Sequence, residues 1–446
     1  MTSNSSQTNW KQVRLGDICE QITDGKHGDC QDEADSGFYF LSAKDILDGQ
    51  MLYGNARQIT KTDFADTHKR TRLEPYDILL TNSGTIGRMA LAPNEERTFR
   101  TTFQKSVAIL KPRRSAVIPH FLYYLLLQEN KRLTDFAGGT AQKNLLLRDM
   151  RAFPVYLPPL HIQGRIAGIL SAYDDLIEDN SRRMKTLEEM ARTIYHEWFV
   201  NFLFPGHDKF KTIESDHGSI PKGWEWGTVG DVLSTLESGS RPKGGAAEIP
   251  NGVPSIGAEN IIGLGRYDYS KEKYVSREFF EKMNRGHLRD GDVLLYKDGA
   301  HIGRKSMFRD AFPHEECAIN EHVFILRCNE RCTQSYLFFW LDQAGMTQNI
   351  RNLNANAAQP GINQSGVRGL PILIPPESVL EAFDFVVDPM LSQLFNLAKK
   401  NNVLGPTRDL LLPKLISGEL NVEMLDIPIR DLKQTGGASP VALSTP

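Results

Sequence analysis

Two periodicities divide the chain. Short apolar runs such as "DILL" (Asp77–Leu80), "VAIL" (Val107–Leu110) and "FPVYLP" (Phe153–Pro158) are bounded by turn residues, which predicts β-strands. Pro119 suits the first turn of a helix over "HFLYYLLLQENKRL", and Thr333 is placed to cap the helix "QSYLFFWLDQ". After each Pro-Pro (Pro158-Pro159 and Pro375-Pro376) the period changes. Ile166, Leu170, Tyr173, Ile177, Asn180, Met184, Leu187, Ala191, Ile194 and Trp198 alternate spacings of four and three, an a/d heptad seam over about four and a half heptads. Val387, Met390, Leu394, Leu397, Asn401, Leu404, Arg408, Leu411 and Leu415 form a second seam. Pro389, Gly405, Pro406 and Pro413 interrupt it and predict kinks or breaks.

The pattern occurs twice. "DILLTNSGTIGR" from Asp77 returns as "DVLLYKDGAHIGR" from Asp292. "WKQVRLGDICEQITDG" from Trp10 answers "WEWGTVGDVLSTLESG" from Trp224, with Gly-Asp and a later Gly at the same offsets. "LSAKDI" pairs with "IGAENI", "FQKSVAILKP" with "INEHVFILRC", and "TAQKNLLLRDMRAFPVYLPP" with "AAQPGINQSGVRGLPILIPP", always in the same order. This is an internal duplication. Each seam carries one amide, Asn180 or Asn401; two facing amides cost less than one left unpaired and fix the register. The expected fold is α+β, with two tandem, mostly β globules in a pseudo-twofold repeat. Two long helices pair between them as an antiparallel coiled coil and act as a spacer.

The expected segments are 1–158 (with 1–9 a disordered arm), 159–202 for the first spacer helix, and 203–223 for a linker. They continue with 224–376 for the second globule, 377–421 for the second spacer helix, and 422–446 for a disordered tail.

Composition narrows the function. The net charge of −3 argues against a protein that coats nucleic acid nonspecifically, while residues 10–158 carry roughly three more basic than acidic side chains. The five cysteines lack a C-x-x-C pair, so reduced thiols fit better than zinc, although Cys328 and Cys332 lie four apart. No apolar stretch reaches membrane-spanning length. P-loop, zincin, nucleophile-elbow and methyltransferase motifs are absent from the sequence.

On these tandem phrases, on "AQPGINQSGVRGLPILIPP", on the helix "NSRRMKTLEEMARTIYHEWFVNF" and on the terminal "RDLLLPKLISGEL", the chain resembles the specificity subunit of type I restriction-modification systems over roughly residues 10 to 421. The resemblance implies two target-recognition domains, each reading half of a bipartite site in double-stranded DNA, and a chain that is itself non-catalytic and binds no cofactor. It implies two modification subunits that bind S-adenosylmethionine, restriction subunits that use ATP and magnesium, and a cytoplasmic complex without membrane. The competing readings are a scaffold with two protein-binding modules and an unrecognised nuclease or methyltransferase.

A specificity protein holds its frame and varies its contacts. Asp77 and Asp292, Gly84 and Gly299, and Gly87 and Gly303 recur and read as structural. Thr81, Asn82 and Ser83 differ from Tyr296, Lys297 and Asp298, and read as DNA-facing. Asn82 suits adenine N6/N7 and Lys297 guanine O6/N7. Arg88 and Arg304 recur, which suits phosphate, or a salt bridge inside the hairpin. Lys105 and His322 read as matching slots at a strand start. Gln142, Lys143, Gln359 and Asn363 lie in loops before the last strand, and Lys26, Arg241 and Lys243 follow the first strand of each copy.

Overall fold

A computed structural model describes residues 10–136, 144–242, 249, 252–354, 361–423 and 425. The arm at 1–9, Gln142, Lys143, Lys243, Gln359 and nearly all of the C-terminal tail lie outside the described residues. The contacts divide the chain into two units, Met1–Asp175 with Gly405–Pro446, and Leu176–Leu404.

In the first unit the central sheet has four antiparallel strands, in the order Cys19–Asp24, Val107–Pro112, Ile78–Thr81, Met89–Leu91. A second sheet places Tyr39–Leu41 between Arg57–Gln58 and Thr101–Phe103. Lys11–Arg14 pairs with Pro154–Leu157, and Ile46–Leu47 with Gln50–Met51. The helix Pro119–Gln128, with its proline in the first turn, buries Phe121, Leu122, Leu125 and Leu126. A separate short helix, Asn130–Asp135, follows where one longer helix was expected. The core continues onto Ile162, Ile166 and Leu170 of the first long helix and Leu415 and Ile416 of the second. Each such side chain, taken from water, contributes about 1.5–3 kcal/mol.

The second unit rebuilds the same sheets. Leu233–Ser238, Val323–Cys328, Val293–Tyr296 and Lys305–Met307 follow the order of the first four strands. The pairings Ile78↔Leu110 and Thr81↔Val107 recur as Val293↔Leu326 and Tyr296↔Val323, so the duplication extends to strand register. One antiparallel hairpin, Thr212–Ser215 with Gly218–Pro221, is added between the first long helix and the second copy.

The long helices run Leu160–Phe199 and Glu377–Ile416. In the first unit Asp174 pairs with Arg408, and Arg165 donates to the Val422 carbonyl (3.0 Å). In the second, Asn180 meets Asn401 and Tyr195 lies against Phe383, so the helices run antiparallel. The buried face is wider than the heptad seam: Leu391, Phe395 and Ala398 are buried beside Leu394 and Leu397. Tyr195 and Phe199 are buried where Ile194 and Trp198 are only partly so. A straight helix drifts from a strict seven-residue repeat, and these helices also pack on globule residues such as Tyr336 and Phe339.

The breaks expected at Pro389, Gly405, Pro406 and Pro413 do not occur; the helix is continuous. All three prolines are exposed, on the solvent side of the helix, where water can take the place of the hydrogen bond that a proline cannot donate.

Five free cysteines are present, and no helix among the described residues is long and apolar enough to cross a membrane.

Candidate nucleic-acid interface

The recurring phrase forms a strand, an exposed turn and a return strand. At its base stands the shared aspartate. Asp77 accepts the Glu74 N–H (2.9 Å) and pairs with Lys111 (2.5 Å). Asp292 accepts the Arg289 N–H (2.7 Å) and holds Arg327 through two bonds (2.6 and 2.7 Å). Burial pushes the Asp77 carboxyl up to about 6 against the pull of Lys111, and raises Asp292 likewise. These aspartates therefore anchor the hairpin and do not face a ligand. Gly84 and Gly299 have φ of 73° and 75°, a region that favours glycine. Gly87 and Gly303 (φ 94° and 87°) donate back to the Thr81 and Tyr296 carbonyls at 3.0 and 3.1 Å.

Around this frame the backbone repeats bond for bond. Asn82 N–H donates to the Ser106 carbonyl (3.0 Å) and Lys297 N–H to that of His322 (3.1 Å). Leu145 N–H donates to the Asn82 carbonyl and Ile362 N–H to that of Lys297, both at 2.9 Å. The turn is thus flanked by the strand start at 104–106 or 320–322 and by the loop that ends at 144 or 361.

The register corrects one expectation. His322 stands opposite Ser106, and Lys105 opposite Glu321, so Lys105 and His322 are not matching slots. The sequence alignment of these strands carried this offset, but the pairing of Lys105 with His322 slipped by one residue.

In the first copy, Thr81 is fully buried; its hydroxyl donates to the Thr85 carbonyl (2.5 Å) and accepts from the Arg88 N–H (2.9 Å). It shapes the turn from inside. Asn82 is 8% exposed, and its side-chain oxygen is buried without a protein partner. Ser83 is half-buried and bridges Asn144. Lys105 is exposed. Lys26 is held by Asp63 (2.8 Å), a hydrogen bond that raises its pKa. Arg88 reaches the Ala43 carbonyl (3.4 Å), and Arg304 the Ile261 carbonyl (3.1 Å), three residues further along the matching segment of its copy. Both arginines tie the turn to the neighbouring segment through backbone oxygens.

In the second copy charged groups converge. Lys297 lies 3.4 Å from Asp298 and 5.4 Å from the centre of the Phe324 ring. Asp298 is 2.8 Å from His322 Nδ1, and Tyr296 is half-buried, its ring 6.5 Å from that of His301. Arg241 extends from the loop after Leu233–Ser238 to Glu321 (3.2 Å). Asn363 caps a short helix, accepting the Gly366 N–H (2.8 Å), and is exposed. The sequence reading missed Glu321 and Asn320; the latter's side chain accepts the His322 N–H (2.9 Å). It noted Gly25 and Gly239 only as repeat markers. A Cβ on either would stand 2.0 or 1.7 Å from a carbonyl oxygen of Phe103 or Ile319, so glycine lets the loop carrying Lys26 or Arg241 lie against the strand start.

In the paired helices, Asn180 Nδ2 donates to Asn401 Oδ1 (2.8 Å), and Asn401 Nδ2 reaches the Ile177 carbonyl and Ser181 Oγ, each at 3.2 Å. Among the described residues no group of three or more His, Cys, Asp or Glu side chains is placed to hold a metal ion.

Residues 7–189 match the model of the type I restriction modification DNA specificity domain. The second copy, outside that span, is tied to the first by its sheet order and register. Along most of its length the chain is similar to specificity subunits of type I restriction enzymes. It is 27% identical over 399 residues to the MjaIX specificity subunit of Methanocaldococcus jannaschii, covering 86% of this chain and 87% of the relative. It is 23% identical over 424 residues to the MjaVIII specificity subunit of the same organism, covering 94% of each. The crystal structure of the type I restriction-modification S subunit from M. genitalium shares the fold, with a TM-score of 0.60 at 15% identity, over 93% of this chain and 99% of that one.

Proposed function

We propose that this chain is the non-catalytic DNA-specificity subunit of a type I restriction-modification complex. The observation that carries the reading is the hairpin turn, built twice with the same backbone bonds and register but carrying Asn82 and Ser83 in one copy and Lys297 and Asp298 in the other. An unchanged frame with changed donors and acceptors is what two different DNA sequences require of one scaffold.

In this reading the recognition domains comprise residues 1–158 and 224–376. The helices within 159–202 and 377–421, set in register by Asn180 and Asn401, fix the spacing and dock two modification subunits. Methyl transfer from S-adenosylmethionine, and ATP- and magnesium-dependent translocation and cleavage, belong to the partner subunits in the cytoplasm. Lys297 makes base contacts, while Asn82, with its side-chain oxygen buried, supports the turn from within. Ser83, Lys105, Tyr296, Asp298, His322, Arg241 and Asn363 line the reading faces, and Gln142, Lys143, Lys243 and Gln359, outside the described residues, also contact DNA. Thr81, Arg88 and Arg304 act mainly by holding the turn, and Lys26, paired with Asp63, approaches the backbone.

Methylome sequencing of cells that express the chain with its modification subunit tests this. The expected result is adenine methylation in a two-part motif with a degenerate gap. A contiguous motif, or no binding of the complex to duplex DNA at low salt, refutes it.

A further inference from the structure

We propose that Glu321 is a positioning residue that sets the specificity of the second globule, holding Arg241 and His322 in the orientation that reads bases. The inference rests on the reading of the chain as a DNA-specificity subunit.

Glu321 occupies the frame position that Lys105 holds in the first copy, a reversal of charge at a fixed backbone site. A carboxylate beside DNA is repelled by phosphates, so it gains nothing from the sequence-independent attraction available to a lysine there. What it does have is partners. Its Oε1 lies 3.2 Å from Arg241 and 3.5 Å from His322 Nε2. The other imidazole nitrogen, Nδ1, lies 2.8 Å from Asp298, which lies 3.4 Å from Lys297.

The result is an alternating row, Lys297–Asp298–His322–Glu321–Arg241, drawn from the turn, the strand start and the loop after the first central strand. Within it Glu321 is the only link between Arg241 and the rest among the described residues. The first copy places Asn82, Ser83, Ser106, Lys105 and His27 at the corresponding positions, with no carboxylate among them to link such a row. Arg241 has a side chain 61% exposed and would otherwise sample many directions; its ion pair narrows them to those that reach Glu321 at the strand start. Base recognition by arginine depends on such fixed, bidentate geometry.

The test uses the full chain assembled with its modification subunit, comparing wild type, Glu321→Ala, Glu321→Gln and Lys297→Ala by methylation-motif sequencing and by binding across a salt series. The expected result for Glu321→Ala is a loss of discrimination of at least about fivefold at one or more positions of the half-site that Lys297→Ala also relaxes. The other half-site and the salt dependence stay unchanged. Glu321→Gln, which keeps an oxygen acceptor for Arg241, recovers most of the discrimination. An unchanged motif in Glu321→Ala, or equal relaxation of both half-sites, overturns the inference while a bipartite wild-type motif still supports the wider reading. Absence of a bipartite motif in wild type overturns both.

Discussion

The pair Asn180–Asn401 makes a prediction whose two halves are unequal. Asn180 is 3% exposed, and its amide donates to Asn401 at 2.8 Å. Replacing Asn401 by leucine strands that donor in an apolar seam, which costs about 1–3 kcal/mol. Replacing Asn180 is milder. Asn401 is only half-buried, its amide keeps the Ile177 carbonyl and Ser181, and its freed oxygen has access to water. That change should cost under about 1 kcal/mol, because the lost bond is offset by added apolar burial. The double substitution removes both polar groups and should restore stability to near wild type or above it. The cycle then shows a coupling of about 1–4 kcal/mol, the sum of the two single losses that the double variant avoids. Urea denaturation followed by circular dichroism, with hydrogen exchange of the amides around 177–184 to localise the change, reads all four proteins. Equal and additive losses in the two single variants would show that the amides do not act as a pair.

Other consequences are open to direct measurement. Lys297→Ala should relax one position in one half-site by about 1–3 kcal/mol; uniform weakening at every sequence would assign it to phosphate instead. Gly239→Ala should prevent folding of the second unit or severely weaken it, because the new Cβ would stand 1.7 Å from the Ile319 carbonyl. Gly168→Ala, in a long helix with nothing within 4 Å, should raise stability by about 0.5–1 kcal/mol in thermal melts; the reverse order of the two would refute the packing argument. Burial, with Asp388 beside it, pushes the Asp384 carboxyl up to about 7, from about 3.9 in an unfolded chain. Between those values the native state holds a proton that the unfolded state has released. The stabilisation is therefore complete below about pH 4 and lost as pH rises through about 7. Asp384→Asn should flatten the urea midpoint across that window, and an unaltered pH slope would contradict the assignment.

Much of this architecture could be read from residue order because it was written twice. Each strand of the second copy had a precedent in the first, and the amide in each seam announced its partner. Three things were not legible. Heptad spacing specifies one contact face, whereas Leu391, Phe395 and Tyr195 are buried because the helices also pack on the globules. Proline predicts a break only where the missing bond cannot be replaced by water, and exposure decides that. Side-chain roles in the turn depend on direction: Thr81 points inward and Arg88 toward the Ala43 carbonyl, which identity and spacing do not encode. Glu321 escaped notice because a carboxylate is an unexpected group on a DNA-reading surface until its partners are seen.

The bond from Arg165 to the Val422 carbonyl, together with Leu415 and Ile416 in the first core, sets an order of events during synthesis. A ribosome that has released Leu404 has delivered every residue of the second unit, an unbroken stretch. The first unit, although begun earlier, still waits for its final pieces. The later-made half is therefore the first that can finish folding, and the nascent N-terminal half stays incomplete until residues 405–422 have emerged.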